Sequence, residues 1–339
     1  MTGGKSMSRK KGRMPMITWS STAFLWLIFA MNANSRELFN RVSPQIVETY
    51  HLNSTQLSTV IAIASLAMAI GAIPLTVWAQ RGGHGYRRHK RSFILALGYL
   101  IPIFICGMLG MYAVGAGFSV FAIMMVIRGI FNACGESCEV AQVQEWAPLE
   151  KQGIIVGFQH TGYPWGSLIG GLATTAIMKA FGYDKWGIPF MGIAVIAVVI
   201  WLIWKRVSTK SRYEKFEEQC IENGLTPPLR GLDVSDGAES GGKSPARLAD
   251  ILKNPNIIVF SIAGLVQTGC YGGISYWLTP YVTYIGHYDA AKAASLGVLF
   301  TITGGVGQIF WGHVADRVGT KRIAQFCFVW LAIAFVLLK

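Results

Sequence analysis

Arg36 stands where an apolar residue is expected. It follows the run ITWSSTAFLWLIFA at 17–30 and shares a helical face with Asn32, Asn40 and Ser43, at spacings of four, four and three residues. One guanidinium among amides can hold an anion, because its planar donors engage two oxygens at once. Glu37 and Arg41 lie four apart on an adjacent face, acid first, a spacing suited to pairing with each other. Arg36 is then left with no carboxylate on its own stripe. Three roles stay open for it: ligand to an anion in a wet cavity, a side chain snorkelling to the outer surface, or the partner of a remote acid.

A second stripe runs through Arg128, Asn132, Glu136, Glu139 and Gln142, spaced four, four, three and three. Arg128 can add cavity charge. Glu136 and Glu139 are candidates to carry a coupling proton, or members of a structural network. His160 reads either as a ligand or proton relay, or as a packing histidine. Gln267, Tyr271 and Ser275 form a weaker stripe that can orient a substrate or simply pack. The glycines of TGYPWGSLIGG at 161–171 read as close-packing positions between helices.

These residues need long helices to hold them. The chain is 52% hydrophobic and 14% charged, with mean hydropathy +0.42, against about 25% charged in ordinary soluble domains. Its apolar residues fall in long runs rather than short alternating strands, so the fold class is an all-α membrane protein. Spans are expected at 17–47, 55–79, 92–113, 117–143, 154–178, 187–205, 256–283, 291–313 and 323–338. Residues 17–30 alone would cover only about 21 Å, so the first helix must continue through Arg36 to cross roughly 30 Å of hydrocarbon. The last span, read as starting near Ile323, is short of a crossing and points to a chain cut within or just after its ninth helix.

The formal charge of +13 is concentrated before the first span, between the second and third (Arg81, Arg87, Arg88, Lys90, Arg91) and after the sixth (Lys205, Arg206, Lys210, Arg212). All three clusters share one side if the N-terminus is cytoplasmic, and the opposite loops are nearly free of cations. That is the positive-inside distribution, and no nucleic-acid partner is inferred. No cleavage site follows the first apolar run, so it is read as retained. Cys134 and Cys138 can share a helix face, but further ligands are lacking, so neither a metal site nor a disulfide framework is assigned. With no nucleophile–base pair and no nucleotide motif, the chain reads as a non-enzyme without a cofactor. Residues 207–252, with Pro227-Pro228 and Gly241-Gly242, read as a flexible cytoplasmic linker between a six-helix part (1–206) and a partial second part (253–339).

Two basic turns follow long helices at equivalent places, opened by Arg81 and Arg317. At the same offset Gly71 meets Gly307 and Ala79 meets Ala315, a pattern of internal duplication. The second turn, GHVADRVGTKR, places Gly312, Asp316, Arg317, Gly319 and Arg322 where Asp316 can accept from a facing helix N-terminus. This loop resembles the signature of the major facilitator superfamily, found between helices two and three and between eight and nine. The first copy, WAQRGGHGYRR, has Thr76 in place of the glycine and Gln80 in place of the aspartate. NANSRELFNRVSP, with an arginine eight residues before a proline, resembles the opening of the anion:cation symporter and organophosphate:phosphate antiporter branches. EWAPLEKQG, YWLTPY and FQHTG at 158–162 are similar to later stretches of those branches. No arginine occupies the helix-seven position of the antiporters, and Ser35 stands where symporters have aspartate.

The resemblance implies a major facilitator fold of two six-helix halves, here with about nine transmembrane helices and an incomplete second half. It implies a multi-pass cell-membrane transporter moving a small organic anion, a carboxylate or phosphate ester, with a coupling ion or counter-substrate. Arg36, Asn32, Asn40, Arg128, His160, Gln267 and Tyr271 would face the substrate, and Gly312, Asp316, Arg317, Gly319, Arg322 and Arg81 would form the gate. An anion sensor that binds without transport would use the same site.

Overall fold

A computed structural model describes residues 12–112, 117–229, 253–287 and 290–337. Its helices are α1 (Met16–Arg41), α2 (Ser43–Tyr50), α3 (Ser54–Gln80), α4 (His89–Tyr112), α5 (Gly117–Glu145), α6 (Gln152–His160), α7 (Gly162–Phe181), α8 (Gly187–Val207), α9 (Lys210–Glu222), α10 (Pro255–Tyr284), α11 (Ala290–Val318) and α12 (Thr320–Leu337). Among the described residues, six helices are long and apolar enough to cross a membrane. Two compact units hold Met1–Val234 with Gly305–Lys339, and Ser235–Gly304.

Prolines correct two expected boundaries, and a third is shifted without one. The first span does not run unbroken to 47: α1 ends at Arg41 and α2 begins at Ser43, across Val42 at φ −104° and ψ 11°. Pro44 has no N–H to give the Asn40 carbonyl, and the Ser43 hydroxyl donates to that carbonyl instead, at 2.9 Å. The expected helix over 154–178 is two helices meeting at Thr161, because Pro164 cannot donate to the His160 carbonyl. Thr161 secures the joint, donating to the Phe158 carbonyl at 2.7 Å and accepting from Trp26 Nε1 at 2.8 Å. The last span starts earlier than expected, at Thr320, so its 18 residues suffice by length for a crossing. Lys321 and Arg322 lie in its first turn rather than in the loop. Elsewhere the expected spans hold to within a few residues; α3 is opened by a capping box in which Asn53 and Gln56 bond each other's backbone N–H.

Glycines let the helices close. A Cβ on Gly166 would lie 2.4 Å from the Ala30 carbonyl oxygen, and one on Gly162 3.0 Å from that of Trp26, so α7 lies against α1 along this edge. Gly129 meets the Ala64 carbonyl in the same way between α5 and α3. The close-packing role expected for the 161–171 glycines is therefore present in the structure. The outer side of α3 leaves Ile63, Leu66, Ile70 and Ile73 exposed, and α8 leaves Val195, Ile196 and Val199 exposed, faces suited to hydrocarbon.

The segment read as a flexible linker begins as structure. Residues 210–222 form α9, capped by the Thr209 hydroxyl, with Tyr213, Phe216 and Cys220 buried. Tyr213 packs edge-on to Trp146, which also meets Trp204 and Phe216. Leu149 N–H donates to the Thr226 carbonyl at 3.0 Å, and Glu150 accepts from Thr226 N–H. The expectation failed because polar composition hid three apolar residues at helical spacing. Residues 230–252 of that segment lie outside the described residues.

Two outcomes test this packing. Gly166→Val should lower the thermal midpoint of the purified protein, at a cost of about 1–3 kcal/mol from overpacking, while Gly192→Ala, with nothing within 4 Å of the added methyl, should not. Burial pushes the Cys220 thiol up to about 12. In a variant retaining only Cys220, maleimide labelling near neutral pH should be slower than in the denatured chain by roughly a thousandfold or more, from the thiolate fraction alone.

Candidate functional site

Charged residues of α1 and α5 meet partway along the bundle, with Tyr163 of α7 beside them. Arg36 donates from Nη2 to Glu136 Oε2 at 3.1 Å, joining α1 to α5. Both side chains keep some exposure, 32% for Arg36 and 42% for Glu136. The Tyr163 ring of α7 lies 6.0 Å from the Arg36 guanidinium carbon. Of the three roles left open for Arg36, the structure supplies the remote acid, carried by a helix 100 residues away in the chain.

Arg128 lies next to this pair in electrostatic terms and is 8% exposed. It donates to the Ser35 carbonyl at 2.9 Å, and no carboxylate forms an ion pair with it among the described residues. Glu139 is fully buried, with Asn32 and Glu136 as polar neighbours, and among the described residues no cation forms an ion pair with it. Such a group costs free energy unless it gains a partner or a proton. Asn132 is buried, and Gln142 accepts from Trp204 Nε1 at 2.9 Å, so the lower end of that stripe is structural.

The Glu37–Arg41 pair expected from spacing is not formed. Tyr163 donates to Glu37 at 2.9 Å, while Arg41 donates to Asn34 at 3.0 Å and to the carbonyl and hydroxyl of Ser167. The approach of α7 offers both residues closer partners than each other. Asn40 is exposed at the end of α1, its carbonyl taken by Ser43. His160 places Nδ1 3.1 Å from the Val156 carbonyl and packs on Phe29. Tyr163, which sequence reasoning passed over among glycines, touches both Arg36 and Glu37. Its place three residues after His160, on the same side of a helix, was the available signal.

At the basic turns, the Asp316 carboxylate accepts from the N–H groups of Gly153 and Ile154, at 2.7 and 2.9 Å. These are free donors of the first turn of α6, the arrangement expected of this residue. Gly312 and Gly153 allow the approach, since a Cβ on Gly312 would lie 2.4 Å from the Gly153 carbonyl. Gly319 closes α11 at φ +102°, its N–H donating to the Ala315 carbonyl. Arg317 and Arg322 are exposed. The first basic turn is built otherwise. Arg81 is exposed just after α3, and Arg88 makes the inward contact, with two bonds to Glu145 at 2.8 and 2.5 Å. Gly85 N–H and His84 also reach Glu145. Lacking an aspartate at 80, this turn draws its acid from α5.

A family model described as Major Facilitator Superfamily matches residues 25–338. The chain belongs to the major facilitator superfamily. Its fold agrees: a crystal structure of a double-Trp XylE mutant superimposes with a TM-score of 0.68 at 15% identity, covering 88% of this chain and 69% of that one. The hexose-6-phosphate:phosphate antiporter of Escherichia coli K12 is 25% identical over 313 residues, covering 89% of this chain and 63% of its own length. The human glucose-6-phosphate exchanger SLC37A1 is 25% identical over 256 residues, covering 64% of this chain and 47% of its own length. The chain thus spans roughly half to two-thirds of the length of these relatives.

This major facilitator chain is a multi-pass membrane protein. Gln267 and Tyr271 lie on α10 in the second unit, where both are exposed and Tyr271 packs 5.9 Å from Phe300. Asp316→Ala should leave two helix-terminal N–H groups unpaired and cost about 1.5–3 kcal/mol, the scale of hydrogen bonds to a charged group. Thermal unfolding in detergent measures this, and an unchanged midpoint would contradict the contact.

Proposed function

We propose that this chain supplies the substrate-binding helices of a secondary transporter that exchanges a phosphate ester for a counter-anion. The carrying observation is the placement of Arg36, a partly exposed guanidinium within a membrane helix, beside buried Arg128. A positive charge in each of two neighbouring spans is expensive, about 2.5–3.5 kcal/mol apiece on insertion scales; Glu136 answers Arg36, and an anionic cargo is what would offset the rest. The names of the relatives, a sugar-phosphate:phosphate antiporter and a sugar-phosphate exchanger, support phosphate esters over carboxylates and exchange over symport.

Within this reading Arg36 holds the phosphoryl oxygens and Arg128 adds long-range attraction. Asn32 orients the acidic side of the site, and His160 with Tyr163 bounds it on α7. Gln267 and Tyr271 of α10 are kept as candidate substrate ligands, and residues 1–206 and 253–339 as two parts of the chain joined by 207–252. Glu139 is the candidate for any coupling proton, given its full burial with no ion pair among the described residues. The Asp316–α6 contact, with Arg317 and Arg322 toward the headgroups, would hold one side closed and break when the carrier opens there. The clusters of basic residues favour a cytoplasmic N-terminus in the cell membrane.

The test is exchange of labelled glucose 6-phosphate against internal phosphate in proteoliposomes. Arg36→Ala should reduce the rate at least a hundredfold, from the loss of a charge-assisted contact together with the exposure of Glu136. A rate near that of the wild type would refute the assignment.

A further inference from the structure

Two arginine–carboxylate pairs in this molecule differ in a telling way. Arg88 and Glu145 are 5% and 9% exposed, held by two bonds with a backbone N–H added. Arg36 and Glu136 are several times more exposed and share a single bond. The Nε of Arg36 is buried with no acceptor. A guanidinium can give two parallel bonds to one anion, so Arg36 is incompletely used by its present partner. Glu136 could leave without unpacking a helix, because its side chain is not enclosed.

The charges nearby lean in the same direction. Arg36, Arg41 and Arg128 stand against the carboxylates Glu37 and Glu136, which leaves one positive charge over unless the buried Glu139 is ionised. Glu37 is engaged by Tyr163, and Arg41 by Asn34 and Ser167. Replacing Glu136 by another monocarboxylate exchanges like for like. A dianion gains more: it can take both donors of Arg36 and sits in the field of Arg128.

From this we infer that Glu136 is an internal stand-in for the substrate, occupying Arg36 in the empty carrier and displaced when a dianionic phosphate group binds. The carboxylate then sets specificity, because a ligand must outcompete it to be held. This inference rests on Arg36 being the anion ligand proposed above. It separates the two acids of α5, giving Glu136 the role of competitor and leaving Glu139 apart.

The probes are inorganic phosphate and acetate, and the measurement is equilibrium binding to the purified full chain in detergent at fixed ionic strength. Glu136→Gln removes the competing charge but keeps the shape. Phosphate should bind about two- to fivefold more tightly, the scale of a partly exposed ion pair, and acetate should compete measurably where it does not in the wild type. Glu136→Asp, which shortens the reach to Arg36, should shift phosphate affinity the same way and serves if the glutamine variant does not fold. Unchanged or weaker phosphate binding in the folded variants would overturn the inference, because Glu136 would then be positioning Arg36 rather than competing for it. Arg36→Ala keeps the two ideas distinguishable. If it abolishes phosphate binding while Glu136→Gln weakens it, only the stand-in role fails. If Arg36→Ala leaves phosphate binding intact, the anion site itself is misplaced, and the stand-in role falls with it.

Discussion

An ionised side chain inside a membrane helix must find a counter-charge, a dipole or water, and the arrangement around α1 follows from that requirement. Arg36, Glu37 and Arg41 lie within six positions of one another on one helix. Each is answered from another direction: Arg36 by Glu136 on α5, Glu37 by Tyr163 on α7, Arg41 by Ser167 on α7 with Asn34 of its own helix. Arg128 completes the set by donating back to the Ser35 carbonyl of α1. The polar bonds therefore fix the rotation of α1 between its neighbours, which apolar packing alone would specify less sharply.

Close approach is the condition for those bonds. Glycines on α7 bring it against the α1 backbone, and only at that distance do Tyr163 and Ser167 reach the charges of α1. The joint at Thr161 serves the same end. Pro164 separates α6 from α7, so each takes its own partner: α6 offers its N-terminus to Asp316, and α7 lies along α1. Stability and function meet here. The contacts that hold Asp316 on α6 are bonds to the first turn of a short helix, which can be broken as a unit without unpacking the longer spans.

The two basic turns repeat one solution with different parts. In the second basic turn an aspartate caps a helix; in the first a glutamate of α5 gathers Arg88, His84 and a backbone N–H. Docked over it, α9 covers Trp146 with Tyr213 and Phe216, and Tyr213 donates to the carbonyl of Glu145. The pair differ because the first turn has Gln80 where the second has its acid, and the neighbouring helix supplies one.

Much was legible in the sequence. Hydropathy marked the spans, since burying an unpaired backbone in lipid leaves helices as the answer to long apolar runs. The motif around Asp316 foretold its helix-terminal contact, and the 161–171 glycines their close packing, because both are local signals whose partners follow from chain order. The identity of the paired charges was not legible. Spacing favoured Glu37 with Arg41, yet an i,i+4 pair is worth only about 0.2–0.5 kcal/mol, and helices arriving from a hundred residues away offered better partners. Polar composition likewise concealed α9, whose three apolar contacts have value only against Trp146. The sequence by itself determined that Arg36 lies in a membrane helix and needs a partner; the tertiary structure alone decided that the partner is Glu136, because only packing brings α5 within 3.1 Å of it.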